Sequence, residues 1–456
     1  MTLRAAVLAT ALLGATAAVA RADGLDLDVW GARSIARAGA TVVSEDGAAA
    51  LLLNPAGLVR RSQWRAQVGM AFHDDDARFR AADADTLGAP DIDNRAAPLV
   101  TPSVGVQGTL GPLVFGASYI ERGDLARRFP SPRFDQPVDE IRQQFPHRYA
   151  GTALRYQHHS VSVGAAVRAS SWLGIGVSAS VDQMNLAETR FIWAGFDGRD
   201  GLANPSRDLE LTIDGTDNLV WGAGIGVLLA PPQLPLEMAL SANYVADAKL
   251  DANVLLASRH SAEFPRPEQL QPAASARLSN PLRVRAGLRY LGDRVLAEAD
   301  GELGVFVGNH ASPRWRLHGV FVRDDTDAVA EIATVPSLID RRSYAGARAS
   351  IDVEVVSGFV WLTAGYAYRT GSSRRAKATA GFADLGGHTI AGGAEGQWNG
   401  MTLSIGYARF IQPRRRVQTS AVPLINPFDG GTMAVGNGRY DGAHDAFGVQ
   451  LEVSWD

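Results

Sequence analysis

Residues 64–73 read WRAQVGMAFH. In an extended chain successive side chains point to opposite faces. Trp64, Ala66, Val68, Met70 and Phe72 therefore share one face, and Arg65, Gln67, Gly69, Ala71 and His73 the other. One face is greasy and the other polar, which is the pattern of a strand in an antiparallel sheet. The pattern returns along the chain. In LRVRAGLRY, Leu282, Val284, Ala286, Leu288 and Tyr290 oppose Arg283, Arg285, Gly287 and Arg289. In LEMALSANY, Leu236, Met238, Leu240, Ala242 and Tyr244 oppose Glu237, Ala239, Ser241 and Asn243. Near the end, Phe447, Val449, Leu451, Val453 and Trp455 oppose Gly448, Gln450, Glu452 and Ser454.

Two architectures share this alternation. A soluble sandwich buries the apolar face; a membrane barrel turns it to lipid and lines its lumen with the polar face. Four features favour the barrel. The repeats run to about ten residues, the length of a tilted spanning strand. Aromatics gather at strand ends, as Trp64 and Phe72, Tyr366 and Tyr368, and Trp455 do. The polar faces carry several charges per strand. Connections alternate between tight turns (110–112, 231–235, 291–293, 398–400) and long links (123–147, 191–208, 324–342, 370–387, 411–445). The strands expected are 63–73, 101–110, 112–121, 148–168, 171–187, 209–230, 235–257, 272–291, 294–323, 343–353, 357–369, 388–398, 401–412 and 446–455. The long stretch 294–323 has room for two. The expectation is an all-β, transmembrane antiparallel barrel of about 14 strands, its closure removing every exposed edge.

Composition narrows the class. The formal charge of −4 over 456 residues gives no electrostatic reason for a nucleic-acid partner. Of 44 basic residues only Lys249 and Lys377 are lysines. Cysteine is absent, which excludes disulfides, thiolate metal sites, a catalytic thiol and a lipoprotein anchor. Arg4 and the small apolar run AAVLATALLGATAAVA at 5–20, ending in AVA or ARA, read as a cleaved secretory signal peptide over residues 1–22. No later run reaches the 18 or so apolar residues of a membrane helix. The best, VWGAGIGVLLA at 220–230, holds three glycines.

Residues 23–62 do not alternate. They contain GARSIARAGATVV and SEDGAAALLLNP. The second reads as a short helix with Ser44 as its cap, Glu45 and Asp46 in its first turn and Pro55 at its end. Asn54 and Pro55 then interrupt the apolar run LLLNPAGLV at 51–59. A compact apolar segment ahead of a barrel fits inside the lumen as a plug; the competing reading is a flexible leader. This divides the chain into a signal peptide (1–22), an N-terminal hatch (23–62) and a barrel (63–456).

The order of Gly31, Ala32 and Arg33, then Arg37, Ala38, Gly39 and Ala40, then Asn54, Pro55, Ala56, Gly57 and Leu58 resembles the opening of the FadL-type outer-membrane transporters of long-chain fatty acids and other hydrophobic compounds. The strong likeness covers residues 24–73. The resemblance implies a monomeric barrel with an N-terminal hatch carrying Asn54, Pro55 and Ala56. It implies capture of a hydrophobic ligand in an apolar pocket and its release sideways through a kink in the third strand, where Gly116 or Gly123 is a candidate. The chain departs from outer-membrane barrels that end on an aromatic residue, since Asp456 follows Trp455.

Other clusters have competing readings. Arg283, Arg285 and Arg289 can hold a fatty-acid carboxylate, or pair with lumen carboxylates such as Glu298, Asp300 and Glu302. His73, Asp74, Asp75 and Asp76, with Asp91 and Asp93, read as a solvated loop rather than a Ca²⁺ site, since ordered ligand spacing is missing. His158 and His159 are strand neighbours and face opposite ways. Arg127, Arg128, Arg133, Arg142 and Arg148 lie among Asp124, Asp135, Asp139 and Glu140 in a loop that can touch lipopolysaccharide. No catalytic motif occurs, so no enzyme, cofactor or metal site is expected. The expected function is passive uptake of a hydrophobic small molecule, a fatty acid or hydrocarbon, across the outer membrane. The alternatives are a protein-binding or secretion-shuttle scaffold on the same barrel, and a lumen-edge lipid hydrolase. Partners beyond the ligand are the outer-membrane lipids and lipopolysaccharide.

Overall fold

The computed structural model describes residues 29–47, 49–61, 63–196, 198–201, 203–259, 263–308, 311–428 and 433–455. The expected signal peptide, the first residues of the expected hatch and Asp456 lie outside these. The barrel has fourteen antiparallel staves. They are β1 (Trp64–Ala81), β2 (Leu99–Leu110), β3 (Leu113–Arg128), β4 (Ala153–Ser170), β5 (Leu173–Trp193), β6 (Asp208–Leu229) and β7 (Leu236–Val245 with Ala248–Ser258). There follow β8 (Arg266–Leu278 with Leu282–Leu291), β9 (Val295–Val305 with Arg314–Arg323) and β10 (Val329–Glu331, Thr334–Pro336 and Tyr344–Val356). The last four are β11 (Val360–Thr370), β12 (Gly386–Trp398), β13 (Met401–Val417) and β14 (Gly438–Trp455). Closure is by β1 on β14, from Trp64↔Trp455 to Ala81↔Gly438. The stretch 294–323 is one stave interrupted at 306–313, because its two pieces pair with the two pieces of β8.

Each stave matches a segment expected from the alternation, yet many are longer. β1 runs eight residues past His73 to Ala81, through the acidic stretch expected as a solvated loop. The cause is an inversion of face polarity. On β5, Ile175, Val177 and Val181 face outward and are exposed, while Gly176, Ser178 and Asp182 face inward. Four residues further along, the same outward face carries Gln183, Asn185 and Thr189, and the inward face carries Met184 and Leu186, both fully buried. The inversion repeats on β4, where outward Val161 and Val163 give way to His159, Gln157 and Arg155. Below this level lipid lies outside and the N-terminal segment inside. Above it water lies outside and the interior fills itself with apolar side chains. The fill is a cluster around Trp315, Met184, Leu211, Leu250 and Leu338. The boundary is marked by ring pairs on the outer surface: Tyr119 with His159, Trp221 with Tyr244, and Tyr366 and Tyr368 with His388. Such belts sit where a bilayer meets water.

The N-terminal segment lies against the inner wall at the short-turn end. It has a helix α1 (Ala32–Ala36), a helix α2 (Ala50–Leu53) and a 3₁₀ turn (Pro55–Arg60). The helix expected from Ser44 is shorter than the sequence suggests. It starts at Ala50, and Ser44 caps nothing; its backbone N–H is taken instead by Glu298 of the wall.

Candidate functional site

The wall is interrupted beside β3. The β2–β3 ladder runs from Leu110↔Leu113 to Ser103↔Ile120 and ends there, although β2 continues to Leu99 and β3 to Arg128. Two local features explain this. The next residue on β2 is Pro102, which has no N–H to extend the ladder. On β3 the register against β4 slips between Glu121 and Gly123, leaving Arg122 as a bulge. Towards the long-loop end Asn94, in the link before β2, ties β1 to β3 instead. Its side chain donates to the carbonyls of Asp75 (2.8 Å) and Ala126 (3.1 Å) and accepts from Arg128 N–H at 2.9 Å. Between these ties is a window bordered by His73, Ala97, Leu99, Leu125 and Ala126, narrowed to a gap of about 10 Å³. It sits at the rim of the lipid-facing belt, beside outward Phe72 and Val100.

Inside the window lies a lumen cavity of about 120 Å³. The two spaces share Asp75, Asp124, Leu125 and His444 in their linings. The cavity floor is Val29 and Ala38 of the N-terminal segment, and its roof includes Phe382 and Asp384 of the link 371–385. That link, expected as a free outer loop, turns into the barrel mouth: Ala380 N–H donates to the Ala150 carbonyl and Thr379 Oγ1 to that of Leu338. The lining mixes apolar side chains with charges, most of which are held in pairs. Arg127 binds Asp75 at 2.7 Å, Arg348 binds Glu302 at 2.9 Å, and Arg369 lies 4.2 Å over the Phe410 ring and 3.9 Å from Asp384. Paired charges beside an aromatic face leave room for an uncharged guest.

Asn54, Pro55 and Ala56 sit beneath, against β5 and β6. Asn54 Nδ2 donates to the carbonyls of Val42 (3.3 Å) and Val227 (3.4 Å), and Oδ1 accepts from Ala56 N–H at 3.2 Å. Pro55 ends α2 and, with Asn54 as cap, begins the 3₁₀ turn at its first position. The wall makes room with glycine: a Cβ on Gly226 would overlap Asn54 Oδ1, and one on Gly176 the Pro55 carbonyl carbon.

The arginine row lies apart from the cavity. Arg285 binds Glu302 at 2.8 Å and reaches Asn243 and the Leu52 carbonyl; Arg289 is 3.6 Å from Glu237; Arg283 is buried beside them on the inward face. Asp300 and Glu298 accept instead from the backbone N–H groups of Val42 (2.9 Å) and Val43 (2.7 Å). Arg37 meets Asp352 at 3.1 Å, and Asp46 gathers Arg33, Arg61 and Arg65. The row therefore belongs to the seam between the N-terminal segment and the wall. The arginines beside the cavity are Arg127, Arg348 and Arg369, which the sequence reading did not single out as a site. Pro102 and the sequence Glu121, Arg122 and Gly123 are the local signals that could have located the window. Elsewhere, Asp76 binds Arg78, Asp91 binds Arg80, Arg148 binds Asp208, and His158 and His159 point to opposite sides of the wall.

No protein-family model matches this sequence, and no curated protein does. Solved structures match it in fold. A FadL homologue of Pseudomonas aeruginosa superposes with a TM-score of 0.74 at 13% identity, over 95% of this chain and 100% of that one. The toluene transporter TodX of Pseudomonas putida gives 0.65 at 17% identity, over 95% and 99%. The toluene transporter TbuX of Ralstonia pickettii gives 0.61 at 12%, over 94% and 99%. The architecture is that of the FadL-type barrels.

Proposed function

We propose that this barrel is an outer-membrane channel for passive uptake of a hydrophobic small molecule, which leaves the lumen sideways through the window between β2 and β3. The observation that carries the proposal is that the cavity and the window share Asp75, Asp124, Leu125 and His444 in their linings. The fold it shares with a FadL homologue and with toluene transporters supports the same reading. Size narrows the guest. An apolar cavity of about 150 Å³ binds benzene, and one of about 120 Å³ is close to that size, which favours a single ring or a short hydrocarbon. A long acyl chain fits only by extending into the window.

Residues 23–62 act as the hatch. The part that moves is its start. Val29 forms the cavity floor, and Trp30 Nε1 donates to the carbonyl of Arg122, the bulged residue of β3, at 3.3 Å. Release of that bond frees the floor and the window edge together. The rest of the segment stays pinned by Asn54, Arg37 and the carboxylates of β9. The hydrophobic driving force is the transfer of apolar surface from water to the cavity and on to lipid. The test is uptake of labelled toluene by cells lacking their own hydrocarbon channels. Expression of the chain should raise it. Asn54→Ala with Pro55→Ala should remove most of the gain while heat-modifiable mobility persists. Unchanged uptake in that variant, with the barrel intact, would remove the hatch from the mechanism.

A further inference from the structure

Beyond the polarity boundary, three neighbouring staves carry cations side by side on the outer surface. Lys249 of β7 stands directly opposite Arg277 of β8. Ser275 of β8 pairs with Arg316 of β9, which puts Arg277 beside Arg314 two residues on. All four side chains are exposed, and among the described residues none has an acidic side chain within ion-pair distance. The row crosses about 10 Å, two strand spacings. Like charges placed directly opposite on adjacent strands destabilise a sheet. Carboxylates nearby are few. Asp251 shares the face, one pair further along β7 opposite Ser275, and Asp217 of β6 is engaged by the backbone N–H groups of Leu219 and Lys249. On the far side Arg314 and Arg316 meet only Pro336 and Thr334. The contrast is with β13 and β14, where outward Arg409 and Arg414 are matched by Asp445 and Asp441.

The height of the row identifies what would balance it. Lys249 lies five residues beyond Tyr244 of the outer ring belt, and Arg277 five before Leu282, where the apolar outer face of β8 begins. At a strand rise of about 3.3 Å and a tilt of about 40°, the row stands roughly 12 Å above the apolar belt. From there the long arginine and lysine side chains reach down to the phosphorylated headgroups, whose layer extends about 5–8 Å beyond the hydrocarbon. We propose that Lys249, Arg277, Arg314 and Arg316 form a binding site for the phosphate groups of an outer-leaflet glycolipid. Arginine forks and the lysine ammonium suit phosphate oxygens. The proposal rests on the outer-membrane placement above and does not depend on what the lumen carries.

The probe is bisphosphorylated lipid A, bound to detergent-purified protein and measured by native mass spectrometry. The wild-type barrel should retain it. Arg277→Gln with Arg314→Gln and Arg316→Gln should weaken retention by about tenfold or more, and so should enzymatic removal of the lipid's phosphates. Asp251→Asn, which removes the carboxylate two residues from Lys249 and opposite Ser275, should tighten it. Arg409→Gln with Arg414→Gln should leave it unchanged. Toluene uptake should persist in all of these variants, so a failure here is separate from a failure of the channel reading. Equal retention by the triple variant, or no effect of Asp251→Asn, would overturn the site. Displacement of the lipid by millimolar inorganic phosphate would show a free-anion site instead and overturn the lipid assignment.

Discussion

Asn54 of the N-terminal segment and Val227 of β6, 173 residues apart, share a hydrogen bond of 3.4 Å across the lumen wall. Gly226 makes it possible, because any Cβ there would occupy the place of Asn54 Oδ1. Asn54→Ala leaves the carbonyls of Val42 and Val227 without this donor, at a cost of about 1–3 kcal/mol. Gly226→Val should cost at least as much by pushing Asn54 away. The double variant should be little worse than the poorer single one, since both break the same contact. Urea unfolding in lipid vesicles measures all three; simple additivity would mean that the two residues act separately.

Arg37 and Asp352 form a buried ion pair, with Thr363 Oγ1 also donating to Asp352 at 2.7 Å. Arg37→Ala strands a buried carboxylate, and about 3 kcal/mol is the expected loss. Arg37→Ala with Asp352→Ala should recover part of it. Protease cleavage within 29–61, followed in detergent, should rise in the single variant and fall back in the double. A double variant as labile as the single would show that charge is not what holds the segment.

The polarity inversion on β5 gives opposite outcomes for one substitution at two sites of the same face. Val177→Arg places a charge in lipid and should cost about 2–4 kcal/mol if near the bilayer midplane. Gln183→Arg, beyond the boundary, should change stability by no more than about 0.5 kcal/mol. Leu186→Gln, on the inner face, should destabilise by about 1–3 kcal/mol because it puts an amide into the apolar cluster. Equal effects of the two arginines would mean that the boundary is misplaced.

His147, in the link between β3 and β4, is fully buried, and its Nε2–H donates to the Pro130 carbonyl at 2.8 Å. Burial pushes its pKa down to about 4, against the smaller upward pull of that hydrogen bond. The unfolded imidazole takes up a proton below about 6.5 and the folded one does not. Stability from this residue is therefore complete above that pH and is lost as pH falls towards 4, by about 3 kcal/mol at most. Protection of the link against hydrogen exchange, corrected for the slower intrinsic exchange at low pH, should be lower at pH 5 than at pH 7, and His147→Gln should remove the difference. A link equally protected at both pH values would contradict the assignment.

The alternation of residues 64–73 was enough to find the staves, because lipid and lumen impose a period of two wherever one face is wet. It was not enough to find their ends. Asp74 and Asp76 read as loop residues, yet with Arg78 and Arg80 they are the outward face of β1 where it rises into water. A charge run and a strand are indistinguishable when the solvent changes along the strand. Asn54 and Pro55 were legible as a stop; their partners were not, since Val227 and Gly226 lie far away in sequence. The arginine row was legible as inward-facing and Glu302 as a partner for it, whereas Glu237, opposite Arg289, needed the register of β7 on β8. The cavity drew Val29, Leu125, Phe382 and His444 from four distant segments, and no local pattern announces such a set.

The central claim is that the guest leaves through the wall between β2 and β3. Ala97 and Ala126 border the window, and neither contributes to the seam around the N-terminal segment. The decisive measurement is the initial rate of toluene uptake by cells carrying Ala97→Trp with Ala126→Trp, normalised to folded barrel in the outer membrane. The account expects uptake to fall to the level of cells without the channel, while toluene still binds the purified variant. Uptake at the unmodified rate through a window filled by two indoles would contradict it.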